Sequence, residues 1–222
     1  MFKEYSKRLI VCLLGLACYA LGNFFGVLAG GAGTNAWNTL GIGIANASGM
    51  SFGTATLMIS LVIIVIDLLG KGKLGIGTIL NIFVISALND VFLKVITFLP
   101  PADTVVLGVI YTLLGQTIIS FATILYLTPC LGAGPRDTLM LIIGKKIPKA
   151  PIGAVKFGIE VGVLIVGIFL GAPFGIGTVL VMALQASLFQ LACRICRYEP
   201  RSIFHEDIMD TFRRIAGKSS PQ

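Results

Sequence analysis

Two pairs of opposite charges lie four residues apart within apolar stretches: Asp90 with Lys94, and Lys156 with Glu160. On a helix this spacing puts both members of a pair on one face. A charge in the hydrocarbon core costs about 3 kcal/mol even on permissive insertion scales, so it normally faces a bundle interior or water. Lys156 and Glu160 lie nearer the middle of their stretch. Glu160 there could carry a proton or engage a substrate, with Lys156 opposing protonation, or the pair could simply neutralise itself. Asp90 and Lys94 sit towards the end of theirs, where Lys94 can snorkel to the interface. A further couple, Arg136-Asp137, follows the glycine-rich Gly132-Ala133-Gly134 and Pro135. Pro135 suits a first helical turn and Asp137 its positive end. Five of these six charges, together with Asn38 at the matching place upstream, give the candidates for substrate recognition or ion coupling as Lys156, Glu160, Arg136, Asp137, Asp90 and Asn38.

The elements that must position these residues are membrane helices. Of the 222 residues, 56% are hydrophobic and only 12% charged. Soluble domains carry about a quarter charged residues, so too little polar surface remains here to face water. Six stretches reach the roughly 20 apolar residues that a span requires: 9–30, 52–70, 74–98, 104–127, 151–171 and 174–196. Lys and Arg cluster before the first, between the second and third, between the fourth and fifth, and after the sixth. The alternate connections hold none. The positive-inside rule therefore puts both termini in the cytoplasm and accounts for the +7 net charge without nucleic acid. The first stretch is too long for a signal-peptide core and reads as an uncleaved anchor.

The chain repeats itself. Gly75-Ile76-Gly77-Thr78 recurs as Gly175-Ile176-Gly177-Thr178, Gly33 to Leu40 echoes Gly132 to Leu139, and Phe52-Gly53-Thr54 echoes Ile152-Gly153-Ala154. Nearly constant offsets in one order indicate a duplicated unit, residues 1–100 and 101–200, followed by a tail at 201–222. Three spans per unit is an odd number, so the second copy enters the membrane from the other side. The expected fold is all-α: six transmembrane helices as a 3+3 inverted repeat, with glycine-broken segments after helices 1 and 4. Gly75, Gly77, Gly175, Gly177, Gly132 and Gly134 are expected to serve close packing or tight turns, because small residues let helices approach in lipid. The broken segments could be re-entrant, with half-helix N-termini attracting anions, or ordinary interfacial loops. Asn81, Gln116, Gln185 and Gln190 could line a path or bond between helices. Trp37 reads as an interfacial anchor and Asp67, near Lys71, as a satisfied interfacial charge. In the tail, Ser202 caps an amphipathic stripe that would lie on the membrane or dock a partner.

No cofactor or metal is expected, and no catalytic constellation is present. Cys193 and Cys196 have the two-residue gap of a metal or redox pair, but lack a second pair and read as thiols at a helix end. His205 lies outside the expected spans.

The glycine break with Trp37-Asn38-Thr39-Leu40, the two Gly-Ile-Gly-Thr copies, Asn81, Asp90, the Gly132-to-Met140 segment, Lys156 and Glu160 together resemble the YczE/YitT-like bacterial integral membrane proteins. The resemblance runs to about Cys196. The chain departs from that pattern at Asn38, where an acidic residue would mirror Asp137, and at Lys156, where arginine is expected. The resemblance implies a bacterial plasma-membrane protein engaged in transport. The expected function is movement of a small molecule or ion by alternating access. The alternatives are a substrate-capturing membrane subunit of an ATP-driven importer, or a non-transporting regulator or scaffold. Expected partners are the lipid bilayer, a small-molecule or ion substrate, and a second copy or another membrane protein.

Overall fold

The computed structural model describes residues 2–72, 74–150 and 152–198. The amphipathic tail helix expected at 201–222 lies outside the described residues. Within them the protein is helical throughout. The elements are α1 (Phe2–Leu28), a 3-10 turn (Gly30–Ala32), α2 (Ala36–Ser48), α3 (Phe52–Leu69), α4 (Ile76–Val95), α5 (Val105–Leu127), α6 (Pro135–Lys146), α7 (Ile152–Phe169) and α8 (Ile176–Cys196). Long, short, long, long therefore occurs twice.

Local chemistry explains the boundaries. The side chains of Asn35, Ser51 and Thr104 accept from backbone N–H groups at the starts of α2, α3 and α5. Pro135 begins α6 at a position whose N–H has no intrahelical partner, and Gly49 ends α2 in the left-handed region.

By length and composition, five helices can cross a membrane: α1, α3, α4, α5 and α8. The sequence suggests six spans. The difference is α7, an 18-residue helix carrying Lys156 and Glu160, which is not one of the five. Outer faces remain apolar: Leu69, Val106 and Phe169 are each more than two-thirds exposed. Such surfaces are stable against lipid and costly against water.

The centre is the α1–α5 pair. Gly15 abuts Tyr126, Gly22 abuts Gly115, and Gly108 abuts Ala29, so the two helices run antiparallel. A Cβ on Gly22 or on Gly115 would come within 2.7 Å of the other's carbonyl oxygen, so the backbones themselves touch. α4 lies along α1 in the same direction, with Asn23 Nδ2 donating to Asn89 Oδ1 and Phe24 packing with Phe92. α8 lies likewise along α5, where Ile124 packs with Ala192 and Cys193. The short helices cross over between halves: α2 packs on α7, and α6 packs on α3.

Each Gly-Ile-Gly-Thr segment braces the glycine break of the other half. The Gly77 N–H donates to the Leu131 carbonyl at 2.7 Å, and Thr78 Oγ1 donates to the Ala133 carbonyl at 2.6 Å. Gly175 and Gly177 close on the carbonyls of Ala32 and Gly33, where an added Cβ would have 2.9 Å or less. The breaks themselves need glycine at Gly33 (φ +79°) and Gly132 (φ +130°). This geometry gives the Gly75, Gly77, Gly175, Gly177 and Gly132 backbones a packing role, while Gly134 is the N-cap of α6.

Candidate functional site

A cavity of about 480 Å³ lies between the halves, lined by residues from all eight helices. The two short helices enter it with their N-termini. Asn35, Ala36 and Trp37 come from the start of α2, and Gly134, Pro135, Arg136 and Asp137 from the start of α6. Trp37 and Arg136 hold equivalent places in the two copies of the repeat, and they touch. The Arg136 guanidinium carbon stands 4.7 Å from the Trp37 ring centroid. Such contact over a tryptophan face is favourable by about 0.5–2 kcal/mol, more when dry. Trp37 therefore differs from the interfacial anchor expected of it. Folding carries the start of α2 inward, and Arg136 occupies the indole face.

On the α6 side, Tyr126 Oη donates to Asp137 Oδ2 at 3.2 Å. On the α7 side, Lys156 Nζ lies 3.9 Å from Glu160 Oε1, with the lysine half exposed and the carboxylate buried. Gln185 of α8 donates its amide to Glu160 Oε2. Of the polar residues singled out in the sequence, Asn81, Gln116 and Gln185 line the cavity, whereas Gln190 is exposed outside it. Thr56, Ser60, Ser86 and Ser120 also line it. Their hydroxyls could not have been found from sequence, since Ser and Thr are scattered through every span.

Four of the six candidate residues thus converge: Arg136, Asp137, Lys156 and Glu160. Asp90 and Asn38 do not line the cavity. Asp90 faces the start of α3 instead, accepting from Ser51 Oγ and, at 2.7 Å, from the Gly53 N–H. Lys94 is exposed and forms no ion pair with Asp90 among the described residues. Spacing places the two on one helix face, but Asp90 is taken by uncapped backbone from a neighbouring helix. Asn38 is fully buried at the α1–α2 contact, and its side-chain atoms have no hydrogen-bond partner among the described residues. Asp67 also departs from expectation. It is wholly buried beneath the turn after α3, and neither carboxylate oxygen has a partner among the described residues, so Lys71 does not satisfy it.

Around the cavity the two halves close differently. Between α3 and α4, Gly53 meets the Ser86 carbonyl and the Asp90 carboxylate, while Asn89 Nδ2 donates to Thr56 Oγ1 at 3.3 Å. Between α7 and α8 there is, among the described residues, little contact beyond the Gln185–Glu160 hydrogen bond, and Gly153, Gly158 and Gly162 face open space.

Among the described residues, no group of three His, Cys, Asp or Glu side chains could hold a metal ion. The model of a family described as "Family of unknown function (DUF6198)" matches residues 6–194, and the chain belongs to that family. It is 33% identical over 189 residues to an "Uncharacterized protein" of Haemophilus influenzae, covering 85% of this chain and 84% of that one. It is 27% identical over 222 residues to the "Uncharacterized membrane protein YczE" of Bacillus subtilis, covering 100% of this chain and 99% of the other. The likeness to the YczE-type membrane proteins expected from the motifs is therefore real. No solved structure matches.

Proposed function

We propose that this membrane protein is a transporter for a small molecule or ion, working by alternating access between residues 1–100 and 101–200 as inverted repeats. In this reading α7 is the sixth span, both termini are cytoplasmic, and the membrane is the bacterial inner membrane. The antiparallel α1–α5 pair, with α4 and α8 each parallel to its own partner, supports an inverted relation of the halves. So does the crossing of α2 onto α7 and of α6 onto α3.

The observation that carries the reading is a cavity at the junction of the halves with four charged side chains in its wall, sealed along α3–α4 and unsealed along α7–α8. With cytoplasmic termini, the sealed seam is at the outer end and the unsealed one at the inner end. Exchanging the two arrangements would expose the same cavity to the other side. Lys156 and Glu160 lie on the seam that would have to close. Their mutual contact lowers the cost of carrying charge through that closure.

Purified protein in liposomes should support solute flux by itself, which an importer subunit or a scaffold would not. Glu160→Gln should abolish coupled transport while leaving membrane insertion intact. Unchanged flux in that variant would leave Glu160 with a structural role only. The inverted topology is tested by single cysteines at Ser48 and Lys145. Impermeant reagent should reach the first from outside and the second from inside, and labelling of both from one side refutes it.

A further inference from the structure

Resting on the transporter reading, we infer that the cavity binds an organic anion, with its carboxylate or phosphate group held at Arg136 where α2 and α6 begin. Four charged side chains line the cavity, and three have a complement. Glu160 is matched by Lys156 and Gln185, and Asp137 by the Tyr126 hydroxyl and the positive end of α6. Arg136 has no acidic partner within ion-pair distance among the described residues. It is the second residue of α6, where the helix dipole makes a cation unfavourable. The N-terminus of α2 enters the same cavity and adds a second positive end. An arginine left there without a counter-charge is explained by a ligand that supplies it.

Stacking on Trp37 strengthens the point. A guanidinium held on an aromatic face directs its N–H groups outward in its plane, the fork that matches carboxylate and phosphate oxygens, and the Tyr19 hydroxyl lies against part of that edge. An independent sign of a ligand comes from Gln116 on α5. It is nine-tenths buried and lines the cavity, and its side-chain amide makes no hydrogen bond among the described residues. The amide opens onto the cavity instead of being sealed in protein, so a polar solute there would meet it. The volume suits a metabolite-sized solute.

The chain supplies its own reporter, because Trp37 is its only tryptophan. Full-length protein in detergent would be titrated with succinate, glutamate, glycerol phosphate and inorganic phosphate, alongside the neutral isosteres succinamide and glycerol and the dication putrescine. A saturable change in tryptophan fluorescence is expected with at least one anion and none with the neutral or cationic compounds. Separate responses to the carboxylates and to the phosphates decide which group is bound. Arg136→Lys should weaken the response roughly tenfold, since the charge stays and the fork is lost, and Arg136→Gln should remove it. If Arg136→Gln is not recovered folded, phenylglyoxal modification of Arg136 in the unaltered protein, followed by peptide mass, replaces it. The binding anion should protect that residue. No saturable response to any anion at millimolar concentration overturns the inference, as does an equal response to isosteres or in the Arg136 variants. Anion binding without flux in liposomes leaves the inference standing and removes the transporter reading. Flux of a neutral or cationic solute indifferent to Arg136 does the reverse.

Discussion

Gly53 and Gly153 occupy the same place in the two copies of the repeat, at the start of α3 and of α7, yet their surroundings are opposite. Gly53 is pressed on the backbone of α4, whereas Gly153 has nothing within 4 Å. Residues at equivalent positions explain much of the contrast. The first seam holds Thr56, Asn89 and Asp90, where the second holds Lys156, Phe189 and Gln190. Asp90 ties Ser51 and the Gly53 N–H to α4, and an amide at Gln190 cannot supply the same charge-assisted bonds. One half has become a fastened seam. The other carries the charged pair and stands open. Equivalent positions in the repeated sequence therefore carry different residues and pack differently at the two seams.

The largest test of this contrast is a side chain at the two glycines. Gly53→Val should destabilise the protein by about 3 kcal/mol, because its Cβ meets a helix carbonyl that cannot withdraw. Gly153→Val should stay within about 0.5 kcal/mol. Equal losses in thermal denaturation of the two purified variants would show that α7 and α8 pack as tightly as α3 and α4.

Asp90→Ala should cost about 1–3 kcal/mol, since the Ser51 hydroxyl and Gly53 N–H lose their acceptor, against almost nothing for Gln190→Ala. The same variant should raise reagent access to a cysteine at Ser86, which lies beneath that seam. Unaltered access would mean that Asp90 adds stability without fastening the seam.

The smallest effect concerns the paired joints. Thr78 Oγ1 donates to the Ala133 carbonyl, whereas the equally buried Thr178 Oγ1 has no partner among the described residues. Thr78→Val should cost about 1 kcal/mol, and Thr178→Val should be neutral or slightly stabilising. Matching losses would indicate that Thr178 has a partner in another state of the protein.

Much of this was legible without coordinates. Hydropathy and length required membrane helices, because no arrangement of so few polar residues can cover a soluble surface. The breaks at Gly33 and Gly132 and the start of α6 at Pro135 follow from backbone chemistry within a few residues. The Lys156–Glu160 contact was legible too, because i and i+4 neighbours need nothing beyond the helix that carries them.

The partners of Asp90, Trp37 and Asp67 were not legible. Asp90 has Lys94 one turn away, yet it bonds Ser51 and Gly53 of another helix. Trp37 sits in a segment without Lys or Arg, yet it meets Arg136, 99 positions along the chain. Sequence by itself determined the solvent, the helices and their breaks, because these depend on composition and on forces acting over a few residues. Only the tertiary structure decided which charges meet, which seam is shut and that the two broken helices share one cavity. Those outcomes depend on which helix faces lie side by side, and spacing along a chain does not encode that.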